Sequence, residues 1–199
     1  MICGIVLAAG ASSRMRRPKA ALPLGTAGEP VLTLVVQTLL TGGVPRVVVV
    51  AGAHVDAVRD AMPRGETRAT MIEHPQWAEG QLSSLLAGLR SVDDPQLEAI
   101  VVTLVDVPMV RAATVEALID EWRRTRAPIV RPARGSQHGH PVIFDRVVFD
   151  DLRSADVNVG AKAVFAKHQA QVRNVAVDDP GAFEDIDTPE DYHRVKGAY

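Results

Sequence analysis

A single cysteine in 199 residues excludes an internal disulfide framework and any metal site built from several thiolates. Cys3 itself reads as a small buried strand residue in a reducing compartment. Aromatic residues make up only 4% of the chain, and 22 Lys and Arg stand against 24 Asp and Glu, for a formal net charge of -2. A basic, stacking-rich surface is therefore missing, which excludes a nucleic-acid polymer as partner and points to a small ligand. No apolar run is long enough to span a bilayer. The N-terminus has no basic leader, and Arg14, Arg16 and Arg17 stand where a signal peptide would carry its cleavage region. These features predict a cytoplasmic protein that makes no membrane contact. With 47% apolar residues the chain can bury a full core at about the usual length of one domain.

What is present is alternation. Cys3 to Ala8, Arg46 to Ala51, Ala99 to Val105 and Ile129 to Val130 are short, β-branched and apolar, the composition of strands buried on both faces. Between them, Val31 to Leu40, Val55 to Met62, Leu82 to Leu89 and Thr114 to Arg123 carry helical spacing; Val115, Leu118, Ile119 and Trp122 form one apolar stripe. Repeated strand–helix order predicts a three-layer α/β sandwich on a mostly parallel, Rossmann-like sheet, with ligands at the carboxyl ends of the strands. After Pro132 the pattern changes to a Gly/His-rich loop, a short strand at Val142 to Phe144, and two helices near Phe149 and Val164. One domain over 1–199 is expected, with about 1–132 binding nucleotide and about 133–199 shaping an acceptor site.

The first strand runs into Leu7-Ala8-Ala9-Gly10-Ala11-Ser12-Ser13-Arg14-Met15, then Pro18-Lys19. Small residues let the backbone approach a ligand, and successive N–H groups in such a turn make a concave anion site. Arg14 and Lys19 add full charges, as a triphosphate with a departing pyrophosphate requires. The loop carries neither the Gly-x-Gly-x-x-Gly dinucleotide fingerprint nor the P-loop pattern. It resembles instead the opening signature Leu-x-x-Gly-x-Ser-x-Arg-Met-x-x-x-Lys of the molybdenum cofactor nucleotidyltransferases, the MobA-like NTP transferases. The resemblance continues through Glu73 to Gly80, Ser83-Ser84-Leu85, Asp106-Val107-Pro108, Gly139-His140-Pro141-Val142 and Asp187-Thr188-Pro189-Glu190-Asp191, so it covers almost the whole chain. The nucleotide-diphospho-sugar transferase type of sheet is the fold it implies. Leu-Ala-Ala-Gly in place of Leu-Ala-Gly-Gly favours the cytidylyltransferase branch over the guanylyltransferases.

Asp106 follows the apolar strand ending at Val105 and should emerge at the ligand-binding edge, where a carboxylate suits Mg2+. By resemblance it is the principal metal ligand. Glu184, Asp185 and Asp187 all precede a helix start at Thr188-Pro189-Glu190, so helix capping is an alternative use for them. By resemblance Asp187 is the second metal ligand, since it fills the position held by a metal-binding Asn or Asp in related enzymes. The resemblance makes Arg14, Lys19 and Asp106 the catalytic set. Nucleotide contacts are expected from Leu7, Ala8, Ala9, Gly10, Ser12, Ser13, Arg14, Lys19, His74, Gly80 and Ser84, with the 74–80 loop closing over the base. Trp77 reads as a core anchor. Gly139, His140 and Pro141 are expected to face the acceptor. His54, His168 and His193 lack metal-ligand spacing and read as surface residues, and no zinc site is implied.

The function implied is transfer of CMP from CTP, or another NTP, to molybdopterin, with Mg2+ as cofactor and transient contact with a molybdoenzyme or its chaperone. Two alternatives share the motifs: a transferase of the same fold acting on a sugar phosphate or another small phosphorylated acceptor, and a non-catalytic cofactor-binding chaperone.

Overall fold

The structure, a computed structural model, describes residues 1–197. Strands β1 (Ile2–Ala8), β2 (Val47–Ala51), β3 (Ala69–Glu73) and β4 (Ala99–Leu104) run parallel in the order β3-β2-β1-β4. Every residue of β1 and β2 is buried. That explains their unbroken apolar runs, because both faces of a parallel sheet are covered by its crossover helices. α1 (Val31–Thr41), α2 (Val55–Asp60), α3 (Gln81–Val92) and α4 (Ala112–Thr125) occupy the four segments where helical spacing predicts them. Alternation along β1 separates two cores: Ile2, Val6 and Ala8 pack with α1 and α4, while Cys3, Ile5 and Leu7 pack with α3.

The second half completes the same eight-stranded sheet. β5 (Ile129–Arg134) turns through β6 (Gln137–His138) into β7 (Val142–Asp145), and β7 lies antiparallel between β4 and β5. β6 and β7 are two parts of one returning run. Their register against β5 slips by two residues across Gly139 to Pro141, which makes that segment a bulge aimed out of the ladder. β8 (Val172–Ala176) adds to β5 in parallel. α5 (Phe149–Ser154) and α6 (Lys162–Lys167) join the α3 side, and α7 (Pro189–Lys196) brings Val195 to the α1 side. The sandwich is therefore α/β with a mostly parallel sheet, as the alternation predicts. The antiparallel insertion of β7 and the strands β6 and β8 are additions to that prediction. No helix among the described residues is long and apolar enough to cross a membrane.

Loops leave β1 and β4 in neighbouring positions. The chain passes from β1 to β2 and β3 on one side, then returns to β4 on the other, so these two loops flank the point where strand order reverses. In open α/β sheets that crevice receives the ligand.

Candidate functional site

The loop after β1 folds back on itself. Ser12 takes a left-handed conformation, φ 50°. Its carbonyl oxygen accepts from the Arg16 N–H at 3.0 Å and its Oγ from the Lys19 N–H at 3.2 Å. This closure places Lys19 beneath the loop with its side chain only 11% exposed. Lys19 Nζ donates to Asp106 Oδ2 at 2.9 Å and to Asp187 Oδ1 at 2.6 Å, and Arg14 Nη1 meets Asp187 Oδ2 at 2.7 Å. Burial works against the Lys19 charge, but its two carboxylate partners outweigh burial and raise its pKa above the ordinary lysine value. The hydrogen bond from Lys19, with Arg14 adding its field, holds the Asp187 carboxyl below the usual range. The two acids come from places 81 residues apart, the β4 exit and the approach to α7. The Ile186 N–H donates to the Asp106 carbonyl at 2.7 Å and ties these segments together.

A cavity of about 440 Å³ opens above this cluster. Leu7, Ala8, Ala9, Gly10, Ser12, Ser13, Arg14, Lys19, Gly80, Ser84, Asp106 and Asp187 line it. Twelve of the thirteen residues expected at the nucleotide and metal site thus line one space, with His74 the exception. His74 does not reach the cavity: it is 5% exposed, and its Nε2 lies 3.0 Å from Ser83 Oγ. Burial lowers its pKa. The ring turns inward because the first turn of α3 offers it a partner, so it supports the 74–80 loop from below. Trp77 corrects the expectation in the other direction. It packs on the α3 core but also forms cavity wall. His54, read as a surface residue, lines the cavity as well, with Nε2 2.9 Å from the Ala11 carbonyl oxygen. Gly52 shows why these loops meet. A Cβ there would stand 2.6 Å from both the Ala9 oxygen and Trp77 Cβ, so only glycine permits the approach. His168 is also no free surface group; its Nε2 pairs with Asp151 at 2.6 Å.

Thr188 caps α7, accepting from the Asp191 N–H while Asp191 answers to the Thr188 backbone. Capping therefore employs Thr188 and Asp191 and leaves Asp187 to the cluster. Glu184 pairs with Arg194 instead.

A second cavity of about 370 Å³ adjoins the first, sharing Leu7, Gln81 and Leu104 with it. Gly139 and His140 line it. Gly139 presses on the Ala182 carbonyl, where any Cβ would overlap. His140 is largely buried, which lowers its pKa, and its Nδ1 has no hydrogen-bond partner. Pro141 departs from expectation. It is buried and faces a small space beside Val35 and Leu39 of α1, because the bulge sends successive residues to opposite faces.

Asp106 Oδ1 is buried and has no hydrogen-bond partner. An orphaned carboxylate oxygen is costly unless a cation completes it, and two carboxylates beside an anion-binding loop are a hard-oxygen donor set. Among the described residues no group of three His, Cys, Asp or Glu could hold a metal alone. A cation here would take its remaining ligands from phosphate oxygens and water, which is the habit of Mg2+.

A crevice at the strand-order reversal, floored by a glycine loop and a carboxylate–cation cluster, defines an α/β nucleotide-binding protein. The chain belongs to the MobA-like NTP transferase family, whose domain matches residues 4–172. Nicotine blue oxidoreductase of Paenarthrobacter nicotinovorans is 31% identical over 98% of this chain and 96% of its own length. The purine catabolism protein PucB of Bacillus subtilis is 28% identical over 99% and 97%. Among solved structures, Rv0371c of Mycobacterium tuberculosis superposes with a TM-score of 0.80 at 32% identity, over 98% of this chain and 97% of that one. A further structure of that protein is a complex with manganese.

Proposed function

We propose that the chain is a cytidylyltransferase that transfers CMP from CTP to molybdopterin and releases pyrophosphate. One observation carries the proposal: Lys19 joins Asp106 and Asp187 beneath the loop after β1, all three facing one cavity. A binding protein has no need of two convergent carboxylates beside an anion-binding loop. A phosphoryl-transfer site does, because its work is positioning and charge neutralisation.

The acceptor phosphate is ionised near neutral pH, so no protein nucleophile is required. Its oxygen forms a bond to the α-phosphorus as the bond from that phosphorus to the α–β bridging oxygen breaks, and pyrophosphate leaves with the electron pair. Arg14 and Lys19 neutralise the triphosphate and its growing charge; Ser12 and Ser13 hold the loop around it. Asp106 and Asp187 would hold Mg2+, which supplies further charge neutralisation on the phosphates when bound. Gly80 and Ser84 bound the nucleotide side, and Gly139 and His140 face the acceptor in the adjoining cavity. In this reading 1–132 form the nucleotide-binding part of one domain and 133–199 the acceptor part, with Asp187 contributed across the division. The cytoplasm is the compartment proposed, where a lone thiol such as Cys3 stays reduced.

Because a relative bears the name of an oxidoreductase, the test must follow the transfer itself. Pyrophosphate release is measured with CTP, GTP and ATP, with Mg2+ or Mn2+, against molybdopterin, sugar phosphates and polyol phosphates. The expected result is release with CTP and molybdopterin that falls about a hundredfold or more in Asp106→Ala. Release only with a sugar or polyol phosphate would reassign the acceptor. No release with any pair, or wild-type rates in Asp106→Ala, would overturn the proposal.

A further inference from the structure

The second cavity differs in chemistry from the first. Leu82, Leu85, Val142 and Phe144 give it an apolar floor, and no Asp or Glu lines it among the described residues. Its far flank holds one fixed cation. Arg131 of β5 lies there beside His138, and both also border a further cavity beyond, which shares no residue with the nucleotide cavity. The Arg131 guanidinium stacks 5.1 Å from the centre of the Phe165 ring, and its Nε donates to Asn174 Oδ1 at 2.9 Å. Those two contacts fix the plane of the group while leaving its terminal nitrogens with no carboxylate partner among the described residues. A half-buried cation held rigid and unpaired is prepared for an anion that arrives from outside. Lys162, at the start of α6, lines the same space, and Val157 and Val159 stand exposed at its rim.

We propose that Arg131, braced on Phe165, is a specificity-determining residue for an acceptor that carries a flat ring system and, besides its reacting phosphate, a second anionic group. The apolar floor takes the ring, Arg131 takes the anion with Lys162 adding charge, and the reacting phosphate lies at the Leu7–Gln81–Leu104 junction. Naming this ligand the acceptor rests on the nucleotidyl-transfer reading; the binding itself does not.

The test uses two fluorescent probes, pterin-6-carboxylate and neutral unsubstituted pterin, titrated into the full-length protein. The wild type should bind the carboxylate about tenfold or more tightly than the neutral ring, the scale of one charge-assisted hydrogen bond. Arg131→Gln should bind both alike, Arg131→Lys should keep part of the preference, and Lys162→Gln, on the exposed side, should weaken the carboxylate by a smaller factor. Thermal unfolding of each variant separates lost folding from lost recognition. Equal binding of the two probes by the wild type, binding of neither, or an undiminished preference in folded Arg131→Gln would overturn the proposal. Titration of CTP with Mn2+ into the same variants should be unchanged by Arg131→Gln. If the wild type fails to bind CTP, the nucleotide reading falls while the probe preference still decides this one.

Discussion

Lys19 occupies the place between two carboxylates where a metal and a triphosphate are expected to meet. It neutralises both acids, with Arg14 at the outer oxygen of Asp187. A divalent cation arriving alone must therefore compete with an ammonium already in position. Lys19→Met should bind Mn2+ more tightly than the wild type when no nucleotide is present, by electron paramagnetic resonance titration, although its turnover is lost. An equal or weaker affinity in the variant would show that the lysine does not guard the acids. The cluster also has a pH signature. Asp187 has a depressed folded pKa, so its stabilisation is present above the ordinary carboxylate value and lost as pH falls through the depressed one. Lys19 has a raised folded pKa, so its share is present below the ordinary lysine value and lost as pH rises through the raised one. Asp187→Asn should accordingly show a flatter acid limb in urea midpoints measured against pH, and an unchanged limb would count against the pairing. Arg14 and Lys19 were legible as the cations of a small-residue loop after the first strand and Asp106 as a carboxylate just past an apolar strand, and the motif resemblance joined them into one set. His54 and Trp77 were not, since nothing in their spacing says which way a loop side chain turns. His74 misled for the same reason: its partner, Ser83, becomes visible only once α3 is placed.

Among the elements, the bulge between β6 and β7 governs where Gly139 and His140 stand in the wall of the second cavity. Gly139 touches the Ala182 carbonyl, and the His140 N–H donates to that same oxygen at 2.9 Å. A methyl group at position 139 would force β6 and the 180–183 turn apart. Gly139→Ala should lose about 1–3 kcal/mol, the usual cost of overpacking, or about 2–12 °C in Tm taking both ranges together for a chain of this size, where each kcal/mol is worth about 2–4 °C. An unchanged Tm would mean the contact relaxes freely. The five strands and six helices that apolar pattern predicts lie where expected to within a few residues. β6 and β8 escaped notice for a physical reason. β6 is two residues long and fully exposed, and β8 at the sheet edge mixes Arg173 and Asn174 with valines, so neither has the apolar run of a strand covered on both faces.

At the scale of the whole molecule, the two halves share one sheet and one site. β7, from the second half, pairs with β4, and Asp187 reaches back to Lys19. A chain cut after Pro132 would expose the β4 edge and lose the second carboxylate. It should therefore fail to fold cooperatively, as circular dichroism and thermal melts would show; a cooperative melt of the 1–132 piece would make it a domain of its own. The antiparallel direction of β7 was not legible, because a four-residue apolar strand carries no sign of which neighbour it joins. The proposed transfer depends most on Asp106 and Asp187 serving a metal that comes with the nucleotide. Isothermal titration calorimetry of CTP, with and without Mg2+, into the wild type and Asp106→Asn tests this most directly. The predicted result is that Mg2+ tightens CTP binding in the wild type and has no effect in the variant; equal tightening in both proteins would contradict it.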